Sequence, residues 1–363
     1  MGTETMRYRI LGGTGIEVST HCLGAMMFGQ IGNPDHEDCA KIVHAALDQG
    51  INFVDTADMY GHGESEEIVG MALEGRRDDV VLATKVHYPV DRAPERDRPN
   101  RDGNSRRWIT KAVDDSLRRL RTDWIDLYQI HRPDPRTDIE ETLATLTDLV
   151  RAGKIRAFGT STFRPEEIVE AYHVADRRGL YRFRTEQPPY SILTRGIEAS
   201  VLPATQRLGM GVLTWSPLAF GFLSGKFRRN AAVDMTDRRP SLNPGRFDPD
   251  LPGNAAKYDA VEKLAALADE VGCTLPQLAV AFVVAHPGVT SAILGPRTID
   301  QLESLLSGAG LVLDDEVLDR IDEIVPPGVD LYDPTVGNRV SPALTEKKLR
   351  RRPLEERAAA AGE

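Results

Sequence analysis

The chain has 363 residues with 55 acidic and 45 basic side chains, a formal net charge of −10 that argues against a nucleic-acid partner. Its three cysteines, Cys22, Cys39 and Cys273, are too widely separated and too few to brace a fold of this size, so we expect buried thiols in a reducing, cytoplasmic compartment. No segment approaches the roughly 18 apolar residues of a membrane span, so no membrane partner is expected.

The N-terminal segment predicts a β-hairpin. Residues 7–11 and 17–19 flank the cluster Gly12-Gly13-Thr14-Gly15. A phosphate-binding loop is the alternative for these glycines, but they lack the Lys-Ser/Thr pair of a P-loop and the full spacing of a dinucleotide fingerprint. We therefore expect an ordinary turn.

Eight short apolar segments follow, each of which predicts a strand. They are residues 22–24, 51–54, 80–84, 125–130, 155–158, 183–186, 211–214 and 291–294. Segments with helical periodicity, such as residues 138–150, separate them. This alternation is typical of βαβ units, so the sequence predicts an α/β protein with a (β/α)8 TIM barrel, in a single domain over residues 1–328.

Two long polar segments and a tail complete the organisation. Residues 90–104 follow the third strand and residues 226–253 follow the seventh. Long loops are often functional, and we expect both to overhang the catalytic face. Residues 318–324 predict a last helix that ends before Pro326-Pro327, and residues 329–363 predict a charged, partly disordered tail.

Four polar residues lie in or just after the second to fourth strands: Asp55, Tyr60, Lys85 and His131. The carboxyl ends of parallel barrel strands share one face, where catalytic groups converge. A lysine at the end of an apolar strand needs a partner such as Asp55, and its ammonium group would favour the phenolate form of Tyr60. Each residue alone also fits a structural role. Together they predict proton transfer to a developing alkoxide, with His131 orienting a carbonyl.

A metal-dependent hydrolase is the main chemical alternative, because Asp and His at barrel strand ends also bind metals. The chain has no His-x-His on an early strand, and His62, His87 and His131 lack a ligand spacing. A Gly-x-Ser-x-Gly serine-hydrolase motif is also missing from the sequence. We therefore expect no metal.

The later strands carry a second set of polar residues, Ser161, Gln187 and Trp215. A nicotinamide ring could stack on Trp215 while Ser161 and Gln187 bind its carboxamide; a core aromatic is the alternative for Trp215. Lys226 and Arg297 add positive charge where the phosphates of such a cofactor would lie.

As an ordered set over residues 7–327, these motifs resemble the aldo-keto reductases. The motifs are Asp55-Thr56-Ala57-Asp58-Met59-Tyr60-Gly61, Ala83-Thr84-Lys85, Gln129-Ile130-His131, Gly159-Thr160-Ser161, Trp215-Ser216-Pro217-Leu218, Ser224-Gly225-Lys226 and Gly295-Pro296-Arg297 with Gln301. The segment beginning at Trp215 is similar to the branch that contains potassium-channel β subunits and bacterial reductases.

The resemblance implies hydride transfer from NADPH to a small aldehyde or ketone. Tyr60 would be the general acid, tuned by Lys85 and Asp55, and His131 would position the carbonyl. The implied cofactor-binding residues are Ser161, Gln187, Trp215, Ser216, Leu218, Lys226, Arg297 and Gln301. A cofactor-sensing or partner-binding subunit with little turnover is the alternative function.

Two positions depart from the pattern of the resembling family. Thr162 stands where many relatives have Asn, and Ser304-Leu305 stands where the family often has Glu-Asn. These departures imply a weaker carboxamide contact and altered adenine contacts. The sequence leaves the natural substrate and the oligomeric state open.

Overall fold

A computed structural model describes residues 6–90, 99–229, 241 and 244–331. The two predicted long loops, residues 90–104 and 226–253, are therefore described only in part. The predicted tail lies outside the described residues from residue 332 onward.

The predicted N-terminal hairpin is present and closes the bottom of the barrel. Strands β1 (Tyr8–Ile10) and β2 (Glu17–Ser19) pair antiparallel around the glycine turn. Leu11 and Val18 are fully buried and pack in the barrel interior. A Cβ atom on Gly12 would lie 2.4 Å from the carbonyl oxygen of Arg184, at the amino-terminal side of the barrel. The glycine cluster is thus a turn on the face opposite the strand carboxyl ends.

Eight parallel strands form a closed barrel, which confirms the predicted TIM barrel. They are β3 (His21–Gly24), β4 (Phe53–Asp55), β5 (Val81–Val86), β6 (Ile125–Ile130), β7 (Ile155–Ser161), β8 (Thr185–Gln187), β9 (Gly211–Thr214) and β10 (Ser291–Leu294). Strand β10 pairs with β3 and closes the ring. This closure leaves no open sheet edge in the barrel.

Helices surround the barrel. They are α1 (His36–Asp48), α2 (Glu64–Ala72), α3 (Arg106–Arg119), α4 (Ile139–Arg151), α5 (Pro165–Arg178), α6 (Val201–Arg207), α7 (Pro244–Phe247), α8 (Pro252–Val271), α9 (Leu275–Ala285), α10 (Ile299–Leu306) and α11 (Asp315–Ile324). Asp138 caps α4 by accepting a hydrogen bond from the N–H of Glu140, as its position before the periodic segment favours. The predicted last helix is α11, which starts at Asp315, earlier than expected.

Five strands, β3, β4, β5, β7 and β8, differ in their limits from the prediction, and the differences at β8 and β5 bear on packing and on the site. Strand β8 begins at Thr185 rather than at residue 183, because Phe183 packs beside the barrel in an edge-to-face contact with Phe158, with ring centroids 5.5 Å apart. Its apolar character therefore reflects packing outside the strand. Strand β5 continues to Val86, so Lys85 lies inside the strand, opposite Gln129 of β6.

The cysteines and the apolar helices complete the fold. Cys22 and Cys39 are buried, Cys273 is partly buried, and all three thiols are free. Over the described ranges, no single helix has the length and apolar character to cross a membrane; α8 and α9 meet that test only as a pair, bent by 90°.

Candidate active site

The carboxyl ends of the barrel strands open into a cavity of about 720 Å³. The predicted site residues that line it are Asp55, Tyr60, His131, Ser161, Gln187, Trp215, Ser216, Leu218, Lys226, Arg297 and Gln301. Lys85 is fully buried behind this wall. The structure therefore brings both predicted sets of residues to one cavity.

Lys85 is the centre of a buried polar cluster. Its ammonium group donates to Asp55 Oδ2 at 2.5 Å, to the carbonyl oxygen of Thr56 at 2.7 Å and to Tyr60 Oη at 3.2 Å. These three acceptors match the three N–H bonds of an ammonium group. The cluster thus links a carboxylate, a cation and the phenol that faces the cavity.

The charge of Lys85 is maintained despite its burial. Desolvation alone would lower the pKa of Lys85, but the Asp55 carboxylate and the Tyr60 hydroxyl counteract it and raise the pKa above its ordinary value. The lysine therefore carries a positive charge at neutral pH. That charge lies where it stabilises a negative oxygen on Tyr60.

A tight turn presents Tyr60 to the cavity. The N–H of Tyr60 donates to the carbonyl oxygen of Ala57 at 3.1 Å, and the N–H of Asp58 donates to the carbonyl oxygen of Lys85 at 3.2 Å. Gly61 has a φ of 58°, in the left-handed region that glycine adopts without strain. The glycine directly after the tyrosine thus lets the chain turn away and leaves the phenol exposed to the cavity.

Two glutamines hold the other oxygen of Asp55. Gln129 and Gln187 each donate from Nε2 to Asp55 Oδ1, at 2.9 Å in both cases. Gln187 Nε2 also donates to Gln129 Oε1 at 3.1 Å. The side-chain Nε2 of Gln187 is therefore engaged within the protein. This leaves the side-chain Oε1 of Gln187 as the atom able to bind a ligand amide.

His131 lies beside Tyr60 in an edge-to-face contact, with ring centroids 5.8 Å apart. Burial lowers the pKa of His131 well below its ordinary value, and the positive charges of Lys85 and Arg132 act in the same direction. The imidazole is thus neutral at physiological pH. Its Nδ1 atom is buried with no hydrogen-bond partner in the described part of the chain.

Ser161 ends β7, and Thr162 begins the turn that follows. Ser161 Oγ donates to the main-chain carbonyl oxygen of Gln187 at 2.9 Å, and Thr162 has a φ of 60°. The buried carboxyl of Glu186 accepts hydrogen bonds from the hydroxyl of Thr160 and from the N–H of Phe163 at 3.1 Å. Glu186 thus fixes the turn that holds the seryl hydroxyl at the cavity wall.

The segment after β9 forms another wall of the cavity. The Trp215 ring packs edge-to-face on Phe220, with centroids 5.8 Å apart. Ser216, Ala219 and Phe220 all have positive φ angles, and Ser216 Oγ accepts the N–H of Phe220 at 2.8 Å. Backbone held in this sparsely populated region is common at ligand-binding sites.

Arg297 and Gln301 line the cavity around the start of α10. Gln301 Oε1 accepts the N–H of Arg297 at 2.9 Å. Asn33 donates to the carbonyl oxygen of Arg297 at 3.0 Å and so connects the loop after β3 to this end of the site. Ser304 and Leu305, which stand where the resembling family often has Glu-Asn, also line the cavity here.

The described ranges offer no metal site. They contain no group of three or more His, Cys, Asp or Glu side chains arranged to hold a metal ion. Of the cavity-lining side chains that the structure describes, the carboxylates are Asp55, which is paired with Lys85, and Asp300.

Three residues of the site were missed from the sequence: Gln129, Glu186 and Arg132. Gln129 and Glu186 are fully buried polar residues within strands, a placement that requires hydrogen-bond partners and could have identified them. Arg132 lines the cavity directly after His131. Its position next to a predicted site residue was the available signal.

Comparison with known proteins identifies the family. A family model described as the aldo/keto reductase family matches residues 22–326. The chain therefore belongs to the aldo/keto reductase family and is an oxidoreductase. Enzymes of this family use nicotinamide cofactors and act on small carbonyl substrates.

Curated relatives match this chain over nearly their whole length. The oxidoreductase YrpG of Bacillus subtilis is 39% identical over 333 residues, covering 89% of this chain and 97% of the relative. The aldo-keto reductase YhdN of the same organism is 37% identical over 88% of this chain and 94% of its own. A probable voltage-gated potassium channel subunit beta of Arabidopsis thaliana is 35% identical over 88% of this chain and 97% of its own.

Proposed function

We propose that this protein reduces an aldehyde or ketone to an alcohol with NADPH, and that Tyr60 is the proton donor. The observation that carries the proposal is the buried cluster in which Lys85 contacts Tyr60 Oη at 3.2 Å and Asp55 at 2.5 Å. Such a cluster suits proton donation to a developing alkoxide, because the adjacent ammonium stabilises the negative charge left on the tyrosine oxygen.

Each member of the cluster has a distinct part in moving the proton. Tyr60 donates a proton to the carbonyl oxygen as negative charge develops there. A nicotinamide cofactor held in the cavity would supply the hydride. Lys85 stabilises the resulting phenolate, and Asp55 keeps Lys85 charged and in place. Neutral His131 lies beside Tyr60 and can hydrogen-bond the carbonyl oxygen without competing as an acid.

The remaining cavity residues fit a nicotinamide dinucleotide. The hydroxyl of Ser161 and the side-chain Oε1 of Gln187 provide hydrogen-bonding groups for a carboxamide, and Trp215 provides a flat ring for stacking. Lys226 and Arg297 provide cations for phosphate groups. The guanidinium of Arg297 is our basis for proposing NADPH over NADH; Ser216, Leu218 and Gln301 complete the proposed contacts.

A cofactor-sensing or partner-binding subunit is the second candidate. It is favoured by the relatives named as potassium channel subunits beta, of which the one from Arabidopsis thaliana is 35% identical. Such a protein would bind NADPH at the same cavity, but it would turn over slowly and form a stable complex with a different protein. The catalytic cluster alone does not separate these two functions, so turnover has to be measured.

Consumption of NADPH with an activated aromatic aldehyde tests the proposal. We expect steady consumption by the wild-type protein and a loss of about 100-fold or more in Tyr60→Phe, which is the scale of general acid catalysis. Tyr88→Phe is the matched control. Its ring also lines the cavity and contacts His131, at 5.3 Å between centroids, but its hydroxyl has no hydrogen-bond partner over the described ranges.

The outcomes separate the two candidates. Activity that falls in Tyr60→Phe and persists in Tyr88→Phe supports the reductase. Activity that is equal in all three proteins excludes Tyr60 as the acid. No activity in any of them, with NADPH still quenching tryptophan fluorescence, favours the cofactor-sensing subunit.

A further inference from the structure

Arg132 is a half-buried cation in the cavity wall whose donors are only partly used. Its Nη1 atom donates to the carbonyl oxygen of His131 at 2.6 Å and contacts Ser161 Oγ at 3.5 Å. Over the described ranges, no acceptor is bonded to Nε or Nη2, and no carboxylate forms an ion pair with the guanidinium. Because Arg132 is anchored through Nη1, its Nε–Nη2 edge remains available to a ligand. This edge has the fork geometry that binds a carboxylate through two hydrogen bonds.

The charges around the cavity leave Arg132 without a role in cofactor binding. Among the described residues, five charged side chains line the cavity: Asp55, Arg132, Lys226, Arg297 and Asp300. Asp55 is committed to Lys85, whereas Lys226 and Arg297 are the cations that we assign to cofactor phosphates. Arg132 instead follows His131, the residue that contacts Tyr60, and so flanks the position of the reacting carbonyl.

The carboxyl of Glu186 is close enough to Arg132 to feel its positive charge, but Glu186 does not neutralise the guanidinium. Its carboxyl is fully buried and accepts hydrogen bonds from Thr160 and Phe163. Burial raises the pKa of Glu186 to about 7, although Arg132 acts to lower it. A substantial fraction of Glu186 is therefore uncharged at neutral pH, and a charged ligand would be a stronger partner for the arginine.

We propose that the substrate carries a carboxylate in addition to its carbonyl group, and that Arg132 binds this carboxylate beside the site of reduction. This inference rests on the proposed function and narrows its substrate class to oxo acids, which include aldehydes that bear a carboxylate. A guanidinium in a cavity wall gains two charge-assisted hydrogen bonds from such a substrate and none from a neutral one. The substrate is thereby oriented as well as attracted.

Matched pairs of acids and esters test the inference. We would measure kcat/KM with NADPH for para-carboxybenzaldehyde and its methyl ester, and for a short-chain oxo acid and its methyl ester. The ester removes the charge while it leaves the reacting carbonyl in place. We expect at least one acid to exceed its ester by about tenfold or more in the wild-type protein, the scale of one charge-assisted hydrogen bond.

Variants assign the preference to Arg132. In Arg132→Met we expect the acid-to-ester ratio to fall to about one, and in Arg132→Lys we expect an intermediate ratio, because lysine keeps the charge but loses the fork. Arg136→Met is the control, since this exposed arginine lies four residues further on, is paired with Asp102 and does not line the cavity. It should keep the wild-type ratio.

The possible results distinguish failure of the carboxylate inference from failure of the proposed reductase function. Ester reduction with no acid preference in the wild-type protein overturns the inference and leaves the proposed reductase intact. An acid preference that persists in Arg132→Met also overturns it. No reduction of any aldehyde, despite cofactor binding, overturns both. If Arg132→Met fails to fold, the ratio in Arg132→Lys decides, and a ratio there that equals the wild-type ratio overturns the inference.

Discussion

Gln129 orients the two side chains that join the catalytic cluster to the proposed cofactor site. Its amide donates to Asp55 and accepts from Gln187, so it fixes which atom of Gln187 remains available to a ligand. All three side chains are buried. A buried polar network of this kind is stable only when each member is satisfied, so loss of one member should disturb the other two.

We predict that Gln129→Leu lowers kcat/KM for reduction by about 10-fold to 100-fold, which corresponds to about 1–3 kcal/mol for an unsatisfied buried group. Asp55 loses one of its donors and Gln187 loses its acceptor. The measurement is steady-state kinetics beside NADPH affinity by fluorescence. Gln49→Leu, a change at an exposed glutamine after α1, should leave both unchanged.

A double-mutant cycle separates positioning from a general loss of stability. If Gln129 acts through Gln187, then Gln187→Leu and the double variant should differ little, because the second change removes an interaction already lost. Fully additive effects on kcat/KM would contradict a positioning role for Gln129.

At the scale of single residues, the sequence predicted the side chains that line the cavity better than the buried side chains that hold them in place. Asp55, Tyr60 and His131 were predicted at the carboxyl ends of strands, and they line one cavity. Gln129 and Glu186 were missed because they lie within the segments 125–130 and 183–186, which we interpreted only as buried strands. Their partners come from other strands, and strand register is not contained in a local pattern.

The turn after β7 depends on a carboxyl that is poorly solvated. Burial raises the pKa of Glu186 to about 7, against the opposing hydrogen bonds from Thr160 and the backbone. In the unfolded chain this carboxyl ionises with a pKa of about 4.3. Between these values the folded state keeps a proton that the unfolded state has released, so this group makes folding less favourable as the pH rises.

We predict that Glu186→Gln removes this pH dependence. The stability of the wild-type protein relative to the variant should fall by about 3 kcal/mol between about pH 4.5 and about pH 7, at about 1.4 kcal/mol per unit, and stay level above that range. Urea unfolding of both proteins across this range measures the difference. A difference that does not change with pH would show that Glu186 is not protonated in the fold.

The hairpin below the barrel offers a prediction about packing. Gly12→Ala should destabilise the protein by about 1–3 kcal/mol more than Gly153→Ala, because overpacking adds to the strain of a positive φ. Both glycines have positive φ angles, 55° and 76°. A Cβ on Gly12 meets the Arg184 carbonyl oxygen at 2.4 Å, whereas one on Gly153 meets nothing within 4 Å. Equal losses in urea unfolding would contradict the close approach.

At the scale of elements, strand existence was predictable and strand limits were not. All eight barrel strands coincide with apolar segments of the sequence, since parallel strands are buried on both faces. The start of β8 was wrong because Phe183 is buried outside the sheet. An apolar residue indicates burial, but it does not say which element covers it.

For the whole molecule, closure of the barrel is what turns separate motifs into a site. Asp55 and Gln187 are 132 positions apart in sequence and hydrogen-bonded in space. The alternation of strands and helices predicted this convergence in outline. It could not give the identity of hydrogen-bond partners, which depends on the closure of β10 on β3 and on the stagger of neighbouring strands.

The most direct test of the account follows deuterium from the cofactor to the product. The wild-type protein is incubated with NADPH labelled with deuterium at both C4 positions and an activated aromatic aldehyde, beside Tyr60→Phe. We expect the wild-type protein to form alcohol with one deuterium on the carbinol carbon, and Tyr60→Phe to form it about 100-fold more slowly. Unlabelled alcohol, no alcohol despite cofactor binding, or equal rates in the two proteins would contradict carbonyl reduction through Tyr60.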